Sequence, residues 1–368
     1  MRPGEIDTPA LLVDLDAMER NLHRMAGFAA RAGMRLRPHA KTHKCIAIAR
    51  RQVALGAVGV CCQKVSEAEI MVRGGIDDVL VANEVTGRVK LDRLAALARR
   101  ARIGLCIDHI DGVAEAAAAA ERAGATLDVL VEIEVGGRRC GVSPGRPAAR
   151  IAASVAAQPR LRLRGLQAYH GAAQHHVDHD ARRQAVCGIV EAVRETLTAF
   201  AGEGLVCEVV SGAGTGTYEL EAAGGVTSEL QAGSYVFMDA AYARNRDGNG
   251  KPIDTFAPAL FVLATVMSRP APERAVVDAG HKAAAVDSDL PEPFALPGVT
   301  YQRPSDEHGV LVAENGRLPA RGDKVLLVPG HCDPTVNLHD WLVGIRGMHG
   351  PGAHVEAVWP VDARGAVF

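Results

Sequence analysis

Aromatic side chains are scarce in this chain, at 4% of 368 residues, and no long run of one charge occurs. With 41 Lys and Arg against 43 Asp and Glu, the formal charge is −2. That balance lacks the electrostatic footprint of a nucleic-acid or membrane-surface binder, so a small soluble partner is expected. No stretch offers about twenty uninterrupted apolar residues, and MRPGEIDTPA lacks the basic and apolar parts of a secretory leader. Neither export nor membrane spanning is supported. The eight cysteines (Cys45, Cys61, Cys62, Cys106, Cys140, Cys187, Cys207, Cys332) form no CxxC pair and lie scattered, which predicts reduced thiols in a cytoplasmic protein.

What is present is alternation. After an apolar strand at Ala10 to Val13, a helix is predicted from Asp16, its N-cap candidate, to Gly33. Eight short apolar runs then follow at Leu36 to Ala40, Val58 to Cys62, Val79 to Ala82, Ile103 to Ile107, Leu127 to Ile133, Leu163 to Tyr169, Val206 to Val210 and Ser234 to Met238. Helical segments separate most of them, among them Gly87 to Arg100 and Asp180 to Gly202. Strand alternating with helix calls for a parallel sheet, and eight repeats is the number that closes a (β/α)8 TIM-type barrel of roughly 250 residues. An open doubly wound sheet is the alternative, but no glycine fingerprint follows the first strand. Beyond Asp247 the runs are short and broken by Pro, Gly and Asp, as in an all-β domain. The expected division is 14–246 for the barrel, with 1–13 and 247–368 in the β domain.

Reactive groups of such a barrel belong at the C-terminal ends of its strands, where the loops converge. The first strand runs into Arg37-Pro38-His39-Ala40-Lys41, which puts a lysine at the tip, where a buried amine can lose its proton and attack an aldehyde. Lys44, the competing amine, should face outward. The seventh strand ends in Ser211-Gly212-Ala213-Gly214-Thr215-Gly216-Thr217, and the eighth is entered through Gln231-Ala232-Gly233-Ser234. Taken singly, each glycine loop reads as a tight turn. Together they fall where this barrel binds phosphate, because bare backbone lets several N–H groups reach one dianion. A lysine opposite them points to a phosphorylated aldehyde cofactor.

Strand five ends in Arg138-Arg139-Cys140-Gly141 and strand six in Tyr169-His170-Gly171, followed by Gln174-His175-His176. An arginine and a tyrosine there can flank a cofactor ring, and a histidine can move a proton near neutral pH. In the β domain, Gly330-His331-Cys332-Asp333-Pro334 follows an apolar run. Kept extended, it turns His331 and Asp333 to one face and Cys332 to the other, an open two-residue site for a divalent ion. Its nitrogen and oxygen donors favour Mn2+ or Mg2+, with Zn2+ also compatible.

The strings TPALLVDLDAMERN, RPHAKTHK, SGAGTGTYE and PGHCDPTVNLHDW resemble the D-threonine aldolase and D-serine dehydratase-like family, fold-type III enzymes of the alanine racemase type. The resemblance runs from about Thr8 to Trp341. It implies that Lys41 carries pyridoxal 5'-phosphate through an imine, that Arg139 and Tyr169 line it, and that Gly214, Thr215, Gly233 and Ser234 hold its phosphate. Arg139 is preferred to Arg138 because the family arginine directly precedes Cys-Gly. His331 and Asp333 are implied as metal ligands, and the His-x-Asp pair looks like the aldolase branch, since dehydratases resemble His-x-Cys. The expected reaction is retro-aldol cleavage of a D-β-hydroxy-amino acid, with His175 as the base on the β-hydroxyl. A dehydratase giving an oxo acid and ammonia is the alternative; a cofactor-carrying binding protein and a racemase are further readings. Asp306 is the candidate third metal ligand, and a homodimer is expected by analogy.

Overall fold

Two sheets organise the computed structural model, which describes residues 1–314 and 316–368. Strands β2 (Arg35–Leu36), β3 (Val60–Cys62), β4 (Asp78–Glu84), β5 (Arg102–Ile107), β6 (Leu127–Glu132), β7 (Leu161–Ala168), β8 (Val209–Gly212) and β9 (Glu229–Leu230) pair in parallel in the spatial order β2-β9-β8-β7-β6-β5-β4-β3. A parallel bridge between His39 and Cys61, with Cys61 N donating to Pro38 O at 2.9 Å, joins the two ends of this sheet. The expected (β/α)8 barrel is therefore what forms. The other sheet holds β1 (Ala10–Asp14) and eight later strands: β10 (Leu260–Ala271), β11 (Arg274–Val277), β12 (Glu292–Pro293), β13 (Val299–Pro304), β14 (Gly309–Ala313), β15 (Lys324–Val328), β16 (Trp341–Arg346) and β17 (His354–Pro360). Within it β1 runs antiparallel to β10 and parallel to β16, so the start of the chain is woven into the mostly-β C-terminal part.

Two local expectations fail for identifiable reasons. The eighth barrel strand is Glu229–Leu230, and Ser234–Val236 is a 3-10 turn. A two-residue strand that carries a charge has no apolar signature, so the apolar residues just after it drew the assignment. The first helix is Leu15–Arg31 and is capped by Asp14, whose Oδ1 accepts from Asp16 N at 3.0 Å and Ala17 N at 3.1 Å. Asp16 lies inside the first turn and pairs with Arg346 at 2.7 Å.

The barrel lumen is polar at both ends. Its apolar middle is a small cluster of Cys61, Leu80, Ala82, Cys106, Leu130 and Val209, while the outer strand faces and the helices share a larger core. At the N-terminal mouth, Arg37 Nε lies 2.9 Å from Glu229 Oε1 and its Nη1 lies 2.7 Å from Asp78 Oδ1, with these arginine and glutamate side chains buried. Ser211 Oγ also donates to Glu229 Oε1, at 2.8 Å. Strands of a buried parallel sheet usually read as continuous apolar runs. Here paired charges interrupt them, so β4 and β5 each begin one residue before the apolar run that marked them, at Asp78 and Arg102.

Removing one partner of a buried pair strands the other charge, at a cost of about 3–5 kcal/mol. Glu229→Ala should lower the free energy of unfolding by that amount in a urea titration. A loss below about 1 kcal/mol would show that Arg37 finds another partner.

Candidate active site at the barrel mouth

The ten residues expected to hold the cofactor, bind the metal or move the proton line one cavity at the C-terminal end of the barrel. Lys41 sits in the 3-10 turn Ala40–Thr42 just beyond β2, with the His39 ring capping it: Nδ1 accepts from Lys41 N at 3.4 Å. Its amine lies 3.5 Å from Asp333 Oδ2. Burial works against the charge, but the Asp333 carboxylate and the Tyr169 hydroxyl outweigh it and hold the amine above the usual lysine value. The expected free amine is thus an ammonium in an ion pair. Lys44 does not face outward: it is buried, with Nζ 3.4 Å from Glu67 Oε1 and 3.0 Å from Asn337 Oδ1. A positive φ of 49° at Lys44 turns the chain out of the 3-10 path and swings this side chain inward.

Two loops form a cup opposite the amine. Tyr235 N donates to Thr215 Oγ1 at 3.0 Å and ties them together. The backbone N–H groups of Thr215, Gly233 and Ser234 donate to no acceptor within the chain among the described residues. Three unspent donors in one concavity suit an anion with several oxygens. The glycines have a further reason to be there. A Cβ on Gly233 would stand 2.6 Å from Thr42 Oγ1, and one on Gly214 would stand 2.5 Å from Gln174 Oε1. The cup therefore packs directly on the lysine's turn.

On the remaining walls, the Arg139 guanidinium lies over the Tyr169 ring, 5.8 Å from its centroid. His175 ends the 3-10 turn Ala172–His175, and its ring packs 4.9 Å from that of Tyr242. Burial and the neighbouring charges of His331 and Lys41 push the His175 imidazole below its usual value, towards its neutral, basic form. His176 does not line the cavity.

The metal pair is placed differently from the expectation. The stretch is not extended: His331 caps a short helix, Cys332–Val336, on which Asp333 is the second residue. Cys332 still turns away, buried, with Sγ 3.4 Å from Met238 O. His331 Nδ1 lies 2.8 Å from Asp287 Oδ2, which leaves Nε2 as the nitrogen open to a ligand. Asp333 Oδ1 is buried without a hydrogen-bond partner. An orphaned carboxylate oxygen and a carboxylate-oriented histidine fit a small cation. No group of three or more His, Cys, Asp or Glu side chains able to hold a metal occurs among the described residues. Asp306 lies exposed in the Ser305–His308 turn outside the cavity and is no third ligand.

Several contributors escaped the sequence reading. Asp287 lies in a loop with no pattern to reveal it. Asp239 caps the short helix Ala240–Ala243, and its Oδ2 accepts from Cys332 N at 3.1 Å. The segment Met238-Asp239-Ala240-Ala241 carries a legible cap signal that a reading of the region as strand obscured. Gln174 accepts from Gly216 N at 3.0 Å, while Thr217 Oγ1 donates to Glu221 Oε1 at 2.5 Å, bracing the seventh loop from below.

Similarity to known proteins agrees with this geometry. The family described as Alanine racemase, N-terminal domain matches residues 13–241, and that described as Putative serine dehydratase domain matches residues 259–345. The chain is 48% identical to a 3-hydroxy-D-aspartate aldolase of Paracoccus denitrificans (strain Pd 1222), over 99% of this chain and 94% of that protein. It is 45% identical to a D-threonine aldolase of Arthrobacter sp, over 99% and 95%. The crystal structure of D-threonine aldolase from Filomicrobium marinum superposes with a TM-score of 0.97 at 55% identity, covering 100% of this chain and 98% of that one. The chain belongs to the alanine-racemase-like D-threonine aldolase and D-serine dehydratase family. A D-threo-3-hydroxyaspartate dehydratase of Delftia sp. (strain HT23) is more distant, at 29% identity over 90% of this chain and 92% of that protein.

Within this family fold, Glu221 offers a pH test of the brace under the cup. Burial, offset in part by the Thr217 hydroxyl and the Ala213 backbone, pushes its carboxyl up to about 7 from 4.5. The folded chain then binds more protons than the unfolded one between those values, so stability is full below pH about 4.5 and declines as pH rises to about 7. Glu221→Gln should remove a decline of about 3 kcal/mol from that window in a series of denaturant titrations. An unchanged slope would place the ionised carboxylate in the native brace.

Proposed function

We propose that this protein is a lyase that cleaves D-β-hydroxy-amino acids such as D-threonine to glycine and an aldehyde, using pyridoxal 5'-phosphate and a divalent metal ion. The observation that carries the proposal is the 3.5 Å approach of Lys41 Nζ to Asp333 Oδ2. It puts an imine-forming amine and a cation-binding carboxylate at the same point of the cavity. Full-length similarity to two aldolases of D-β-hydroxy-amino acids supports the reading.

The residues present fit the cofactor: Lys41 would hold its aldehyde carbon, the N–H groups of Thr215, Gly233 and Ser234 its phosphate, and Arg139 and Tyr169 its ring. When bound, it supplies an electron sink for the pair released as the Cα–Cβ bond breaks. His331 Nε2 and Asp333 would hold Mn2+ or Mg2+, or alternatively Zn2+, whose chemistry is to acidify a bound hydroxyl. His175 is positioned to take the β-hydroxyl proton on its neutral ring. Tyr242 orients that ring by packing against it. Asp333, at the position where the dehydratase pattern has a cysteine, favours the aldolase over the dehydratase, and Cys332 supplies no sulfur in its place because it points away from the cavity. No helix among the described residues is long and apolar enough to cross a membrane. The free cysteines suit a reducing compartment, so we place the protein in the cytoplasm. A homodimer is carried with the proposal by fold analogy.

Incubation of the cofactor-loaded enzyme with D-threonine and Mn2+ should release acetaldehyde and glycine in equal amounts. Formation of 2-oxobutanoate would make it a dehydratase, and loss of no D-amino acid would make it a binding protein. A chelator should suppress turnover while leaving the visible cofactor absorbance intact; turnover indifferent to chelation would remove the metal from the reaction. Lys41→Ala should abolish that absorbance and lower activity on the order of 10³-fold or more. Retained absorbance with normal turnover would move the attachment to another residue.

A further inference from the structure

Between β11 and β12 the chain runs from Ala285 to Pro291 without helix or strand. Asp287, which orients His331, sits in this loop with its side chain 51% exposed. An exposed ion pair is worth little against the freedom of a loop. The 2.8 Å contact of Asp287 Oδ2 with His331 Nδ1 therefore needs the backbone beneath it to be held. Ser288 Oγ donates to the same oxygen at 3.0 Å, but it belongs to the same loop and cannot supply that hold.

The hold comes from both ends. Upstream, Ala285 N donates to Thr335 Oγ1 at 3.1 Å, and that hydroxyl donates onward to His331 O at 2.8 Å. Downstream, Asp289 Oδ1 lies 2.6 Å from Arg244 Nη2, and the Asp289 side chain is only 19% exposed. The Asp289 carbonyl occupies the place that a Cβ on Gly330 would take, so the loop rests directly on the residue before His331. Arg244 follows the short helix Ala240–Ala243, whose Ala240 N donates to Pro329 O at 3.0 Å. On its other side, Asn245 Nδ2 donates to Gln174 O at 2.9 Å. The arginine thus reaches the loop from a backbone anchored on both sides.

We propose, on the metal reading of the proposed function, that Arg244 is a positioning residue: by holding Asp289 it keeps Asp287 behind His331, and so sets the affinity of the His331 and Asp333 pair for a divalent cation. With its proton kept on Nδ1 by Asp287, the imidazole presents the Nε2 lone pair to the ion. Without Arg244 the loop loses its downstream tether, Asp287 drifts from the ring, and binding must first select the tautomer and orient the histidine. The same segment carries Asp239, which fixes Cys332 N, and Tyr242, which packs on His175. One stretch of chain beyond the eighth barrel strand aligns both the metal pair and the proposed base.

The test is the binding of Mn2+ to the full chain, read from the electron paramagnetic resonance of the free ion and independent of turnover. Arg244→Met should weaken binding about tenfold or more, the loss expected when the support of a ligating histidine is removed. Asp287→Ala should weaken it by a similar factor. The double variant should bind at most about twofold more weakly than Asp287→Ala alone, because both changes remove one support. Wild-type affinity in Arg244→Met, or losses that multiply in the double variant, would overturn the positioning role. Asp289→Asn, which keeps the arginine and the shape of its partner, should weaken binding in the same direction and carries the test if Arg244→Met does not melt cooperatively. Failure of the wild-type chain to bind Mn2+ would instead overturn the metal reading, and the role of Arg244 with it.

Discussion

The contact on which the site depends is the approach of Gly233 to the turn that carries Lys41. Thr42 and His39 lie so close to Gly233 that a single added carbon would collide with them. Strands β2 and β9 are hydrogen-bonded neighbours, but each contributes only two residues to the ladder. Their register alone cannot fix the loops above them. Packing of the bare glycine backbone against Thr42 and His39 does so, holding the amine and the anion cup at a fixed separation. The same economy recurs at Gly214 against Gln174, whose other hydrogen bonds reach the backbone of His170 and the hydroxyl of Thr217.

Electrostatics then divides the work among similar residues. Two lysines three positions apart in RPHAKTHK share one chemistry and meet different fates. Lys44 is locked by Glu67, Asn337 and the Ala363 carbonyl, contacts that join the barrel to the C-terminal part. Lys41 meets a carboxylate whose second oxygen has no partner. A charge satisfied on every side is structural, whereas one leaning on a half-satisfied partner can change it at low cost.

The β-rich part is a working wall of the cavity. The short helix Cys332–Val336 packs on the 3-10 turn of Lys41, and Asp239, from the loop beyond β9, holds its first N–H. Asp287 orients His331 from a third segment. The site is therefore assembled from both sheets, and the barrel by itself would present an amine without its carboxylate.

Alternation of strand and helix, the lysine beyond the first strand, two glycine loops beyond the last two strands and a His-x-Asp string were all legible in the chain, because each is a local pattern of residue type and spacing. Barrel closure followed from counting. The true eighth strand was hidden, since Glu229 is buried by a salt link to Arg37 and Arg35 that lies 192 to 194 residues away in sequence. The helical turn at Cys332, the inward Lys44 and the Asp287 support of His331 were decided by tertiary structure alone. Each depends on which distant group supplies the counter-charge or the hydrogen-bond partner, and that is set by where the strands end in space.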